Sequence, residues 1–139
     1  IKNGASLNLK DKFGKSALVY CVNKDQIEAT EFLLIHQPEV DSLDKFEWTP
    51  LMWAVKKDYF EIIKLLVKYK ANINHKDDEG TPIIQYAVEN ESIEVVKFLI
   101  EKGVDINVTD QYGLSPLVYA LKTKNKEIVE LIRSAGGEY

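Results

Sequence analysis

The segment Asp44-Lys45-Phe46-Glu47-Trp48-Thr49-Pro50-Leu51-Met52-Trp53-Ala54-Val55, with Glu61-Ile62-Ile63-Lys64-Leu65-Leu66 close behind it, decides how the whole chain is read. Its landmarks recur every 33 residues in both directions. Asp44 aligns with Asp11, Asp77 and Asp110, and Leu51 with Leu18, Ile84 and Leu117. Ala54 falls in a small-residue column with Cys21, Ala87 and Ala120. Glu61 matches Glu28, Glu94 and Glu127, and Leu66 matches Leu33, Leu99 and Ile132. Five columns in four copies are the mark of a repeat protein, and the 139 residues hold about 4.2 periods.

Each copy reads as a turn, a helix, a loop and a second helix. Thr49-Pro50 is a helix start, because the hydroxyl can cap a free N–H and Pro fits the first helical position; Ser115-Pro116 is expected to do the same. Leu51, Ala54 and Val55 follow at i, i+3, i+4 and form the buried stripe of the first helix. Ile62, Ile63, Leu65 and Leu66 are expected on a broad buried face of the second helix, with Glu61 in its first turn, where the helix dipole favours negative charge. Ala71-Asn72-Ile73-Asn74 reads as a short extended stretch leading to the next Asp. Gly14, Gly80 and Gly113 lie three residues after their Asp, where a tight turn needs positive φ. No single copy can bury its apolar face, so the copies are expected to stack.

This pattern resembles the ankyrin repeat: a turn opened by Asp-x-x-Gly, then Thr-Pro-Leu, a small-residue helix, Glu-Ile-Val-Lys-Leu-Leu and Gly-Ala-x-Val-Asn. Asp44–Leu51 and Glu94-Val95-Val96-Lys97-Phe98-Leu99 carry it best, and Gly4-Ala5-Ser6-Leu7-Asn8 matches the tail of a preceding copy. The resemblance covers the whole chain and implies an all-α, ankyrin-type solenoid of helix-turn-helix repeats joined by short turns or hairpins. It implies one domain, with a partial repeat at 1–10, full copies at 11–43, 44–76 and 77–109, and a terminal copy at 110–139. Several positions depart from the family pattern. Val19, Met52, Gln85 and Val118 stand where the family has His, so that residue's bonds must be replaced or lost. Glu47 replaces the turn Gly, and Asp25, Asp58, Glu91 and Lys124 replace the Gly between paired helices. Thr81-Pro82 comes one residue early.

The resemblance further implies a protein–protein interaction module, a scaffold or adaptor, that binds through a concave face of turn tips and first helices. On that face it places Phe13, Phe46, Glu79 and Tyr112 at the turns, with Trp48 beside them, and Asn23, Lys24, Lys56, Lys57, Glu89 and Asn90 toward the ends of first helices. Tyr20, Trp53, Tyr86 and Tyr119 form an aromatic column where the family usually buries Leu, so packing and interface both stay open for it. Trp53 is counted with the candidate partner-binding residues. The lysines read either as a solvated face or as a match for an acidic partner. Leu99 to Asn107, with Asp105 and Ile106, fits the context in which ankyrin Asn residues are hydroxylated by an oxygenase, with Asn74 and Asn8 fitting less well; the alternative is that Asn107 bonds the turn backbone.

Composition bounds the other classes. The chain is 45% apolar and 29% charged with seven Gly and four Pro, unlike disordered or collagenous sequences. No apolar run approaches the ~18 residues of a membrane span, so no membrane insertion is expected. One cysteine, Cys21, cannot form an internal disulfide; it is expected buried and inert, in an intracellular, cytoplasmic setting. Twenty-two acids against 17 Lys and one Arg give a net charge of −4, which disfavours nucleic acid or nucleotide stacked on the tryptophans. His36 and His75 lie in different copies, away from any Cys partner in sequence, and Asp77-Asp78-Glu79 lacks the alternating ligands of a calcium loop. No phosphate loop or nucleophile elbow is present, so no catalytic residue, cofactor or metal is expected. The chain is expected to be a monomeric piece of a longer protein, since it lacks an initiator Met; a structural or autoregulatory spacer is the alternative role. Lys126 and Arg133 turn two apolar columns polar in the last copy, as a terminal repeat with a wet outer face requires.

Overall fold

The computed structural model describes residues 8–36 and 38–139, so most of the expected partial repeat at 1–10 lies outside the described residues. Among the described residues eight helices follow in four pairs: α1 (Ala17–Asn23) and α2 (Ile27–Ile35), α3 (Pro50–Lys57) and α4 (Phe60–Lys68), α5 (Ile83–Glu89) and α6 (Ile93–Glu101), α7 (Pro116–Thr123) and α8 (Lys126–Ser134). No strand forms among the described residues; isolated antiparallel bridges, Lys10 with Ser16 and Lys76 with Pro82, close two of the turns. The fold class is the all-α ankyrin-type repeat.

The chain forms two compact units, one ending at Asn72 and the other spanning Ile73–Tyr139. In the first, α1 packs on α3 and α2 on α4; in the second, α5 packs on α7 and α6 on α8. First helices therefore form one layer and second helices another within each unit. Most of the stripes read from the sequence close these layers, but Leu65, expected on the buried face of the second helix, is only half-buried, and in α2 Leu34 is buried while the column residue Leu33 is half-buried. Leu51, Ala54, Val55, Ile62, Ile63 and Leu66 are buried in the first unit, and Ile84, Ala87, Val95, Val96, Leu99, Leu117, Ala120 and Ile132 in the second. The small column brings first helices together: Ala54, Ala87 and Ala120 are wholly buried.

Polar bonds at the same 33-residue spacing stitch neighbouring copies. Asn8, Asp41, Asn74 and Asn107 each accept, through side-chain Oδ1, the backbone N–H 31 residues further on, at Glu39, Asn72, Asp105 and Glu138 (2.7–3.0 Å). Lys10 Nζ donates to the Leu43 carbonyl at 2.8 Å, and Lys76 Nζ to that of Thr109 at 2.7 Å. Bonds that recur once per copy fix the vertical register of each unit, which non-directional apolar packing alone leaves free to slip.

Four local expectations change. Ser16 and Thr49 cap their helices, at Val19 N–H and Met52 N–H, but Ser115 does not: its hydroxyl donates to the Glu138 carbonyl at 2.6 Å. Cys21 is half-buried rather than buried, on an α1 that packs on α2 and α3. Ala71-Asn72-Ile73-Asn74 bends into a turn at Ile73-Asn74 instead of running extended. The early Thr81-Pro82 leaves the frame untouched: α5 starts six residues after its Asp, as α1, α3 and α7 do, and Pro82 becomes an N-cap that makes no side-chain bond.

The missing glycines do not change the backbone either. Glu47 takes φ +59°, beside +77°, +78° and +74° at Gly14, Gly80 and Gly113, and its N–H still closes the turn on the Asp44 carbonyl at 3.0 Å. Asp25, Asp58, Glu91 and Lys124 all adopt left-handed φ of +53° to +62° between paired helices. Side chains with a β-carbon hold this conformation at a cost of about 1 kcal/mol each relative to glycine.

Candidate functional site

The turn tips are built by one carboxylate apiece. In every copy the Asp Oδ1 accepts two backbone N–H groups, two and four residues on: Phe13 and Lys15, Phe46 and Trp48, Glu79 and Thr81, Tyr112 and Leu114, all at 2.9–3.1 Å. The other oxygen, Oδ2, takes the aromatic nine residues on. Trp53 Nε1 donates to Asp44 at 2.9 Å and the Tyr86 hydroxyl to Asp77 at 2.6 Å; the Tyr20 hydroxyl donates to Asp11 and that of Tyr119 to Asp110. The Asp therefore ties its turn to the first helix of its own copy. The column where the family pattern has His is buried here at Val19, Met52 and Gln85.

The aromatic column is thus neither plain core nor bare surface. Tyr20 is 42% exposed, and Trp53, Tyr86 and Tyr119 are half-buried with their polar ends held by carboxylates. The titrations follow the bonds. The Tyr20 hydroxyl, first, and the Lys15 backbone N–H hold Asp11 below its ordinary value. Burial pushes Asp110 up, but the bonds from Tyr119, Leu114 and Tyr112 together outweigh it and leave it lowered. Tyr119 is raised to about 12 by Asp110 and by burial; Tyr86 is raised by burial and then by Asp77, and Tyr20 by Asp11.

At the tips of the first unit, Phe13 is 42% and Phe46 48% exposed. The two turns touch through the backbone: Lys45 N–H donates to the Phe13 carbonyl at 3.2 Å, and a β-carbon on Gly14 would lie 3.0 Å from both Asp44 Cα and Lys45 N. Phe13, Lys15, Lys45 and Phe46 line an open cleft of about 250 Å³. Trp48 and Trp53, both half-buried, pack with ring centroids 4.6 Å apart. Lysines crown these rings. Lys45 Nζ lies 5.2 Å from the Phe13 centroid and 5.0 Å from that of Phe46, Lys12 lies 5.2 Å from Phe13, and Lys15 lies 4.9 Å from Trp53. At the far end of the first helices, Lys24, Lys56 and Lys57 are exposed, with Lys57 Nζ donating to the Asn23 carbonyl at 3.4 Å; Asn23 is half-buried.

The second unit differs in chemistry. Glu79 and Tyr112 are exposed at its tips, Tyr112 by 73%. Glu89 and Asn90 are exposed at the end of α5, with Glu89 accepting from Gln85 Nε2 at 3.0 Å. Asn107 lies in the exposed loop and uses both ends of its amide, Oδ1 accepting from Glu138 N–H and Nδ2 donating to the Gly136 carbonyl at 3.2 Å. Lys126 and Arg133 are exposed on α8.

Sequence reasoning singled out the tip aromatics but missed Lys12, Lys15 and Lys45, whose ammonium groups share the same surface. The signal was present: Lys12 and Lys45 follow their Asp directly and precede their Phe, whereas Asp78 and Gln111 fill that column later. The Asp–aromatic bond was also visible as two unbroken columns nine residues apart.

Among the described residues no three His, Cys, Asp or Glu side chains gather as metal ligands, and no helix is long and apolar enough to cross a membrane. Burial, first, pushes the Cys21 thiol up, away from nucleophilic character. Paired helices headed by Asp-bonded turns define a helical repeat protein. The family model for ankyrin repeats (3 copies) matches residues 1–77 and again 70–139, and the chain belongs to the ankyrin-repeat family. Proteins of this family are generally protein–protein interaction modules and typically not enzymes. No curated protein matches the sequence.

Proposed function

We propose that this chain is a scaffold or adaptor module that docks a partner protein on its turn tips and first helices. The observation that carries the reading is the set of large aromatics left exposed on turns whose backbone is pinned by Asp bonds: Phe13, Phe46 and Tyr112. A rigid tip presents its ring without ordering cost at binding, which is the property that makes an aromatic an interface anchor. Asn23, Lys24, Trp48, Trp53, Lys56 and Lys57 extend the candidate surface in the first unit, and Glu79, Glu89 and Asn90 in the second. Stacking of nucleobases on the tryptophans is disfavoured, because Trp48 and Trp53 pack on each other and Lys15 covers Trp53.

The test is affinity capture from source-cell lysate with wild type and a Phe13→Ala/Phe46→Ala variant. Half-exposed rings contribute little to the fold, so the variant is expected to melt within about 3 °C of wild type while partner recovery falls about tenfold. Unchanged recovery at unchanged stability would overturn the reading. Trp48 is less suited to this test, since its packing on Trp53 contributes about 1 kcal/mol to the unit itself.

A further inference from the structure

The tips of the first unit and those of the second share an architecture but not a charge: the first two carry lysine, the third is acidic and the fourth neutral. The position after each Asp is Lys12 and Lys45 in the first unit, then Asp78 and Gln111; the next is Phe13 and Phe46, then Glu79 and Tyr112. The chain through Asn72 holds eleven Lys against ten acids, whereas Ile73–Tyr139 holds seven basic residues against twelve acids. In the first unit the two turn aspartates are already engaged: Asp11 and Asp44 each accept from two backbone N–H groups and one aromatic. Lys12, Lys15 and Lys45 have no carboxylate within ion-pair distance among the described residues, although the Lys15 charge is felt at Asp11; each rests on an aromatic face.

A cation over a ring is held by about 0.5–1 kcal/mol at an exposed site, far less than a carboxylate offers when water is excluded. The lysines are therefore poised to exchange ring for carboxylate, and the rings so uncovered are free to take apolar side chains. We infer that the cleft between Phe13 and Phe46 is the docking site for an acidic, amphipathic peptide segment of the partner, in which carboxylates meet Lys12, Lys15 and Lys45 and an intervening apolar side chain enters between the two phenylalanines. The inference rests on the docking role proposed above and names the chemistry of its partner. The cleft is preformed, since the Lys45 bond to the Phe13 carbonyl and the close approach at Gly14 hold the two tips together.

Lys15, which lines the cleft, rests over Trp53, and Trp48 packs on Trp53, so fluorescence reports displacement of Lys15 from the ring. Three synthetic peptides of about twelve residues, identical in alternating Leu and Phe but carrying Glu, Gln or Lys between them, are titrated into the whole chain. The Glu peptide is expected to bind about tenfold or more tighter than the Gln peptide, to weaken steeply toward ~0.5 M salt, and the Lys peptide not to bind. Lys12→Glu/Lys15→Glu/Lys45→Glu is expected to reverse that order with an unchanged far-UV spectrum. If the reversal impairs folding, Lys12→Gln/Lys15→Gln/Lys45→Gln should instead level the Glu and Gln peptides. Equal binding of Glu and Gln peptides to wild type, no binding of the Glu peptide, or binding lost on Tyr112→Ala but kept in the lysine variant would each overturn the inference. In those cases a captured partner still lost from Phe13→Ala/Phe46→Ala leaves the docking role standing; a partner indifferent to that variant removes the role as well.

Discussion

Glu47 shows how strongly a single backbone angle is imposed from outside the residue that adopts it. It occupies the left-handed region at φ +59° because the turn bond to the Asp44 carbonyl and the Asp44 Oδ1 bonds to Phe46 and Trp48 N–H leave no other path. Its counterparts Gly14, Gly80 and Gly113 take the same region without a β-carbon to clash. Glu47→Gly should therefore stabilise the fold by about 1 kcal/mol, the relief of the left-handed clash exceeding glycine's added freedom in the unfolded chain. Thermal denaturation would read this as a rise of about 2–4 °C. A fall instead would mean that the Glu47 side chain makes contacts worth more than the strain it carries.

At the level of the element, two helices show tertiary packing overriding local signals. α5 begins where its neighbours begin although Pro82 gives it no side-chain cap, because Ile83, Ile84, Ala87 and Val88 must meet the core in the repeat's frame. α2 buries Thr30 completely, in a column otherwise filled by Ile63, Val96 and Val129, and its hydroxyl finds no hydrogen-bond partner. An unsatisfied buried hydroxyl costs about 1–3 kcal/mol, and valine has nearly its shape. Thr30→Val is expected to raise the denaturation midpoint by an amount equivalent to ~1–2 kcal/mol, with α-helical content unchanged by circular dichroism. An equal or lower midpoint would show that the hydroxyl is satisfied by bound water.

For the molecule as a whole, the repeated Asp–aromatic bond ties stability to pH at both ends of the scale. Asp11 and Asp110 are lowered in the folded state, so their contribution is present above the ordinary carboxylate value of 3.8 and is lost as pH falls through their depressed values. Tyr20, Tyr86 and Tyr119 are raised, so theirs is present below the ordinary phenol value of 10.0 and is lost as pH rises, for Tyr119 through about 12. Urea midpoints measured across pH should therefore be flat from about 5 to 9 and fall on either side. Asp110→Asn should bring one tyrosine back toward 10, read as earlier phenolate absorbance near 295 nm; an unaltered titration would show that the Asp110–Tyr119 bond does not hold the phenol.

Periodicity alone was enough to place the helix pairs, most of their buried stripes and the turn positions, but not the half-burial of Cys21, Leu33 and Leu65. A helix that cannot bury its face by itself must repeat that face at a fixed interval, and a 33-residue recurrence in five columns leaves little freedom in the answer. The tip aromatics were legible for the same reason, as columns that fall on turns. What only the tertiary structure decided were the relations that depend on where a side chain reaches. These include the carboxylate that joins turn to helix, the serine hydroxyl drawn from its own helix to Glu138, the orphaned Thr30 and the lysines drawn over the rings of a neighbouring copy. A column records which residue stands at a position; its partner is chosen by distance in space, and long side chains such as Lys45 span several candidates until the fold brings one within reach.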